Sequence, residues 1–130
     1  STTATAEDLL FCVSETNRLR GMVGAGLVNQ SSAIEAYAAL AARADGTSNT
    51  AHGYTSGPNR PAGAFAENEV LRWSLSQYGS IRGVIGAAIA AFWNEGPGGA
   101  HYENMRGAWI SVGCGVYVSG DQVTVVQHFR

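Results

Sequence analysis

"VGCGVYVSGDQVTVVQHF", residues 112–129, decides the fold class. Val112, Cys114, Val116 and Val118 alternate with Gly113, Gly115 and Tyr117. That is the period of two by which a strand sends successive side chains to opposite faces. Ser119, Gly120, Asp121 and Gln122 have turn chemistry, and residues 123–129 are again rich in β-branched side chains. The stretch reads as a β-hairpin. His128 falls inside its second strand and reads as a partly exposed strand residue. Residues 106–110, just upstream, suit a further strand.

Before the hairpin the period lengthens to that of helices. From residue 80 to 94, Ile81, Val84, Ile85, Ala88, Ile89, Phe92 and Trp93 recur at three and four, the strongest amphipathic signal in the chain. These side chains read as core rather than as a lipid slot. A first helix runs over residues 6–20, capped by Thr5, with Glu7 and Asp8 where acids complement the helix dipole. A second begins at the S-x-x-E box of Ser32 and Glu35 and ends at Gly46. Residues 47–64 are rich in Gly, Ser, Asn and Pro and read as loop, with only "TAHGY" fit for a short extended piece. Residues 66–77, "AENEVLRWSLSQ", suggest a short helix. Helices first and strands last predict an α+β fold: an antiparallel sheet of three to four strands covered by helices.

The chain has 130 residues and neither an internal repeat nor a long linker, so residues 1–130 are expected to form one domain. The formal net charge is −2, and the eight cationic side chains, all arginine, are scattered. A nucleic-acid partner needs a positive face, so that class is excluded. The apolar run at 84–93 is far short of the roughly 20 residues of a membrane-spanning helix. The opening "STTATAED" suits a mature secreted chain and equally a cytosolic one. Cys12 and Cys114 are either two reduced thiols or one disulfide. Closing a loop of that length stabilises a domain by about 4–5 kcal/mol in the chain-entropy view.

Three histidines stand at 52, 101 and 128. His52 and His101 lie in glycine-flanked, irregular segments, where binding residues concentrate. Two imidazoles with nearby carboxylates are raw material for a divalent cation, although no H-E-x-x-H spacing fixes two ligands on one helix. No G-x-S-x-G elbow is present, and Cys114 sits mid-strand, which argues against a nucleophilic enzyme. "GPGGA" lacks the lysine of a phosphate loop and reads as a hinge.

Taken in order, "HGY", "AENE", "AFWNEGPGGAHYENM" and "SVGCGVYV" resemble the CAP superfamily of cysteine-rich secretory, venom-antigen and pathogenesis-related proteins. The likeness runs from the first helix to the hairpin. It implies an α-β-α sandwich, secretion to the extracellular space and a cleft tetrad of His52, Glu67, Glu95 and His101. In that reading His52 and His101 hold a divalent metal such as zinc, and Cys12 pairs with Cys114. Ala66 and Ala100 replace the family's glycines, Asn104 replaces a common glutamine, and an aromatic insertion linked to sterol binding in some fungal relatives is missing. The implied function is a secreted binding module for a lipid or sterol, or for a cell-surface or host protein. A hydrolase using metal-activated water with Glu67 or Glu95 as base is one alternative. A tetrad without metal, purely structural, is the other. The expected assembly is a monomer or a weak dimer.

Overall fold

A computed structural model describes residues 3–130. The elements run α1 (Ala6–Met22), β1 (Asn29–Gln30), α2 (Ser32–Ser48), α3 (Gly53–Ser56), β2 (Ala66–Ser74), α4 (Leu75–Tyr78), α5 (Ile81–Trp93), α6 (Ala100–Arg106), β3 (Ser111–Ser119) and β4 (Gln122–Phe129). The four strands form one sheet in the order β1-β3-β4-β2. The β3–β4 hairpin expected from alternation is present, and β2 adds antiparallel to β4. The two residues of β1 pair parallel to the start of β3.

The register sorts the layers. Val112, Cys114 and Val125 share one face with Val70 and Phe129, and they bury against Cys12, Val13, Val84, Ile85, Ala88 and Phe92 of α1 and α5. The other face carries Gly113, Gly115, Val126 and His128, and α2 lies on it, burying Ala38, Ala41 and Ala42 against Val126. A Cβ on Gly115 would stand 2.1 Å from the Ala38 carbonyl carbon, and one on Gly113 would stand 2.3 Å from the Glu35 nitrogen. The glycines of the V-G-C-G stretch thus let α2 touch the sheet backbone-to-backbone. The Cys12–Cys114 disulfide ties α1 to β3 on the opposite face. The result is the α-β-α sandwich.

Local readings need four corrections. Residues 66–77 are mostly strand, not helix: Ala66–Ser74 pairs with β4, and cross-strand burial overrides the helical leaning of Ala, Glu and Leu. Residues 106–110 are not a strand, because α6 runs to Arg106 and irregular, bent backbone follows it. "TAHGY" is not extended, since it enters the single turn α3. The second helix is capped by Ser31, whose side chain accepts from the Ile34 N–H, and it continues past Gly46 to Ser48. Arg72, at a bulge in β2 with φ 55°, donates to the carbonyls of Gly46 and Thr47 and so satisfies the end of α2. Among the described residues no helix is long and apolar enough to cross a membrane.

Candidate metal-binding site

Two histidine–glutamate pairs flank the edge strand β2. In the first, His52 Nδ1 lies 2.9 Å from Glu67 Oε1. Glu67 is in β2, and the register sets it opposite His128 of β4. His128 Nδ1 reaches Glu67 Oε2 at 2.9 Å, and Thr55 donates to the same oxygen at 2.8 Å. Burial works against a charge on Glu67. The hydrogen bonds from His128, His52 and Thr55 outweigh it and hold the carboxyl at about 2. An ionised carboxylate only accepts, so both Nδ1 atoms carry protons. The Glu67 bond also raises the His52 pKa, with burial opposing.

His128 is therefore not a partly exposed strand residue. It is fully buried, stacked on Phe65 at a centroid distance of 5.4 Å, and Arg130 reaches its Nε2 at 3.3 Å. A strand at 66–74 is the one route to it from sequence, since pairing that strand with the hairpin sets Glu67 beside His128.

In the second pair, His101 Nδ1 is 2.5 Å from Glu95 Oε2, and the His101 amide donates to Glu95 Oε1 at 2.9 Å. His101 belongs to the first turn of α6 and not to an irregular segment. Gly99, at the N-cap, makes no side-chain cap hydrogen bond. Glu95 reaches across the loop and caps the helix instead, an acid at the positive end of the dipole. A Cβ on Gly99 would sit 2.4 Å from Glu95 Cβ, and Gly96 and Gly98 have φ of 71° and 92°. The glycines of "NEGPGGAH" let the chain fold back so that acid and imidazole meet. The hydrogen bond from His101 lowers the Glu95 pKa.

Asn68 and Asn104 join the two pairs. Asn68 Nδ2 donates to the His101 carbonyl at 3.1 Å, and Asn104 Nδ2 donates to Asn68 Oδ1 at 2.9 Å. Asn68 also bonds Gln127, which donates to Thr16 of α1. This polar chain runs through the core, and its members satisfy one another.

Behind His52 lies a feature the sequence does not signal. Its backbone is left-handed, with φ 56°. The turn is gripped by two acids: Glu69 Oε1 accepts the His52 N–H at 2.8 Å, and Asp45 Oδ1 accepts the Tyr54 N–H at 2.8 Å. The other oxygens, Asp45 Oδ2 and Glu69 Oε2, are buried without a donor. Burial first, and the neighbouring Asp45 second, push the Glu69 carboxyl up to about 9. Among the described residues, His52, Glu67 and Glu69 form a group of three whose donor atoms all lie within 4.8 Å of one another, as a metal ion requires. His101 and Glu95 are outside that group.

Fold and site together define a disulfide-linked α-β-α domain with a metal-capable histidine–glutamate cluster. The model of the cysteine-rich secretory protein family, CAP, matches residues 13–129, and the chain belongs to that family. The solved structure of NaASP2 with Zn2+ shares the fold at a TM-score of 0.75 and 19% identity, over 96% of this chain and 80% of that one. An outer surface protein from Borrelia burgdorferi matches at 0.76 and 16%, over 99% and 96%. An extracellular SCP-domain protein from Bacillus anthracis matches at 0.61 and 16%, over 99% of this chain but 44% of that protein. No curated protein is significantly similar in sequence.

Proposed function

We propose that this protein is a secreted, extracellular binding module whose cleft, walled by His52, Glu67, Glu95 and His101, holds a divalent cation. The carrying observation is the tautomer geometry. Each imidazole donates a hydrogen bond from its Nδ1–H to a glutamate oxygen. That leaves Nε2 as the ligand atom and makes the acid an orienting partner, the arrangement common to metal-bound histidines. The zinc in NaASP2, a structural relative, supports the choice of zinc as first candidate. The relatives described as outer-surface and extracellular support export, as does the disulfide.

For a partner, the chain offers a groove of about 660 Å³ between α2 and β3, lined by Ala39, Leu40, Val116, Tyr117 and Val118 with Arg43 at its rim. That size and lining suit a lipid or sterol with a polar head. Metal content measured by mass spectrometry on protein purified without chelator tests the cation. About one divalent ion per chain is expected, and none in a His52→Ala, His101→Ala double variant; equal loading in both would end the reading. Displacement of a fluorescent sterol or fatty acid tests the groove, and no displacement would shift the partner to a protein surface.

A purely structural cluster is favoured by one fact: Glu67 already accepts from three side chains. It is distinguished by a metal-free purified protein that keeps its full thermal stability.

A further inference from the structure

Glu69 is outside the four-residue cleft, yet it has the features of a ligand. It is 8% exposed, and one oxygen is committed to the His52 amide, which fixes the aim of the other. That second oxygen has no donor, and neither has Oδ2 of Asp45, which is 1% exposed. Buried polar atoms are nearly always paired, so two orphan oxygens on neighbouring acids call for a proton or a cation between or beside them. Three carboxyl groups, Asp45, Glu67 and Glu69, gather around the His52 turn. The side chains that answer them directly are His52, His128 and the Thr55 hydroxyl, all on Glu67.

We propose that Glu69 is a ligand of the cation at His52, so that the site of this chain is oxygen-rich and accepts Mn2+ as well as Zn2+. The inference rests on the reading that the cleft holds a divalent ion, and it adds a donor that the four-residue tetrad lacks. Glu69 offers a donor atom within 4.8 Å of a His52 ring nitrogen. Its carboxylate therefore needs only a small shift to reach an ion on that imidazole with a bond of about 2.0–2.2 Å, while Glu67 keeps its role of orienting the ring. Imidazole suits zinc, whereas each added carboxylate favours manganese and other hard cations. Asp45 is the positioning residue: it holds the Tyr54 end of the turn and backs the Glu69 carboxyl.

The test is calorimetric titration of metal-stripped full chain with Zn2+ and, separately, Mn2+, comparing the parent with Glu69→Gln, His52→Ala and His101→Ala. Glutamine keeps the acceptor for the His52 amide and offers an N–H to Asp45, so Glu69→Gln is expected to fold, which thermal melting checks. Glu69→Gln should weaken Mn2+ binding by at least about tenfold and Zn2+ binding less. Unchanged Mn2+ affinity in Glu69→Gln overturns the proposal. If that result comes with loss of both ions in His52→Ala and His101→Ala, the two-histidine cleft stands and Glu69 alone is refuted. A parent that takes up neither ion refutes both. Paramagnetic broadening by Mn2+ gives a second readout without any variant: the amide signals of Asp45 and Glu69 should vanish with that of His52. Broadening confined to residues 95–101 would overturn the assignment.

Discussion

The two histidines are alike in exposure, 40% of the side chain for His52 and 34% for His101, but their glutamates are not: 2% for Glu67 against 33% for Glu95. The same chemical pair is built once from the core outward and once from the surface. Glu67 is a strand residue, fixed by register and held by three donors. Glu95 is a loop residue, fixed only by the helix it caps. The contrast teaches where rigidity comes from. His52 inherits the order of the sheet through Glu67, whereas the His101 ring takes its acid from a loop, and the Asn68 bond that ties it to β2 reaches only its backbone carbonyl. The cleft proposed above then has a rigid wall at His52 and a more adaptable one at His101, and it can be probed from both sides.

The largest expected effect is on the rigid wall. Glu67→Ala strips two histidines and a buried hydroxyl of their acceptor and should cost about 3–5 kcal/mol in urea unfolding. Glu95→Gln should cost less than about 1 kcal/mol, because its pair is solvent-screened. Equal costs would erase the contrast.

Acid should separate the walls too. The folded Glu67 carboxyl, near 2, is below its ordinary 4.5. Its contribution is therefore complete above the ordinary value and is lost as pH falls toward the folded one. Unfolding midpoints of metal-stripped protein should drop steeply across that window in the parent and in Glu95→Gln, and less steeply in Glu67→Gln. A parent and a Glu67→Gln curve of equal slope would count against the anchored carboxylate.

Glu69 predicts the opposite slope. Its pKa is raised to about 9, so the protonated folded form is favoured, and that stability is lost as pH rises from its ordinary 4.5 toward the raised value. Without metal, Glu69→Gln should melt roughly 3–6 °C above the parent at about pH 8, the shift that about 1 kcal/mol produces in a domain this size. A lower melting point at that pH would contradict the raised pKa.

The smallest effect belongs to the adaptable wall. Gly99→Ala pushes Glu95 away from the start of α6. Amide exchange at His101 and Tyr102 should quicken by about three- to tenfold with the global midpoint nearly unchanged, as local fraying does. Unchanged exchange would show that Glu95 is not the cap.

Much of this architecture is legible in the sequence because its signals are local. The hairpin shows itself by alternation and α5 by its three-four repeat, and both are present. Motif order points to His52, Glu67, Glu95 and His101, and to Cys12 with Cys114. What stays hidden depends on contacts between distant strands. "AENEVLRW" has no alternation of polar and apolar residues because both faces of β2 are covered, so its strand character is invisible. With β2 unread, the pairing of Glu67 with His128 is out of reach. The Asp45–Glu69 pair is further out of reach, since it needs the last turns of α2, the αL backbone of His52 and the register of β2 together.

The strand order has a consequence for biogenesis. β4, formed by residues 122–129, lies between β3 and β2, so it is the keystone of the sheet although it is made after the other three strands described. Until it arrives, β2 has no neighbour to pair with and Glu67 lacks His128. The sheet is therefore incomplete until residues 122–129 are made, an order compatible with the export proposed above, in which oxidation of the cysteines would lock α1 onto a sheet completed on the far side of the membrane.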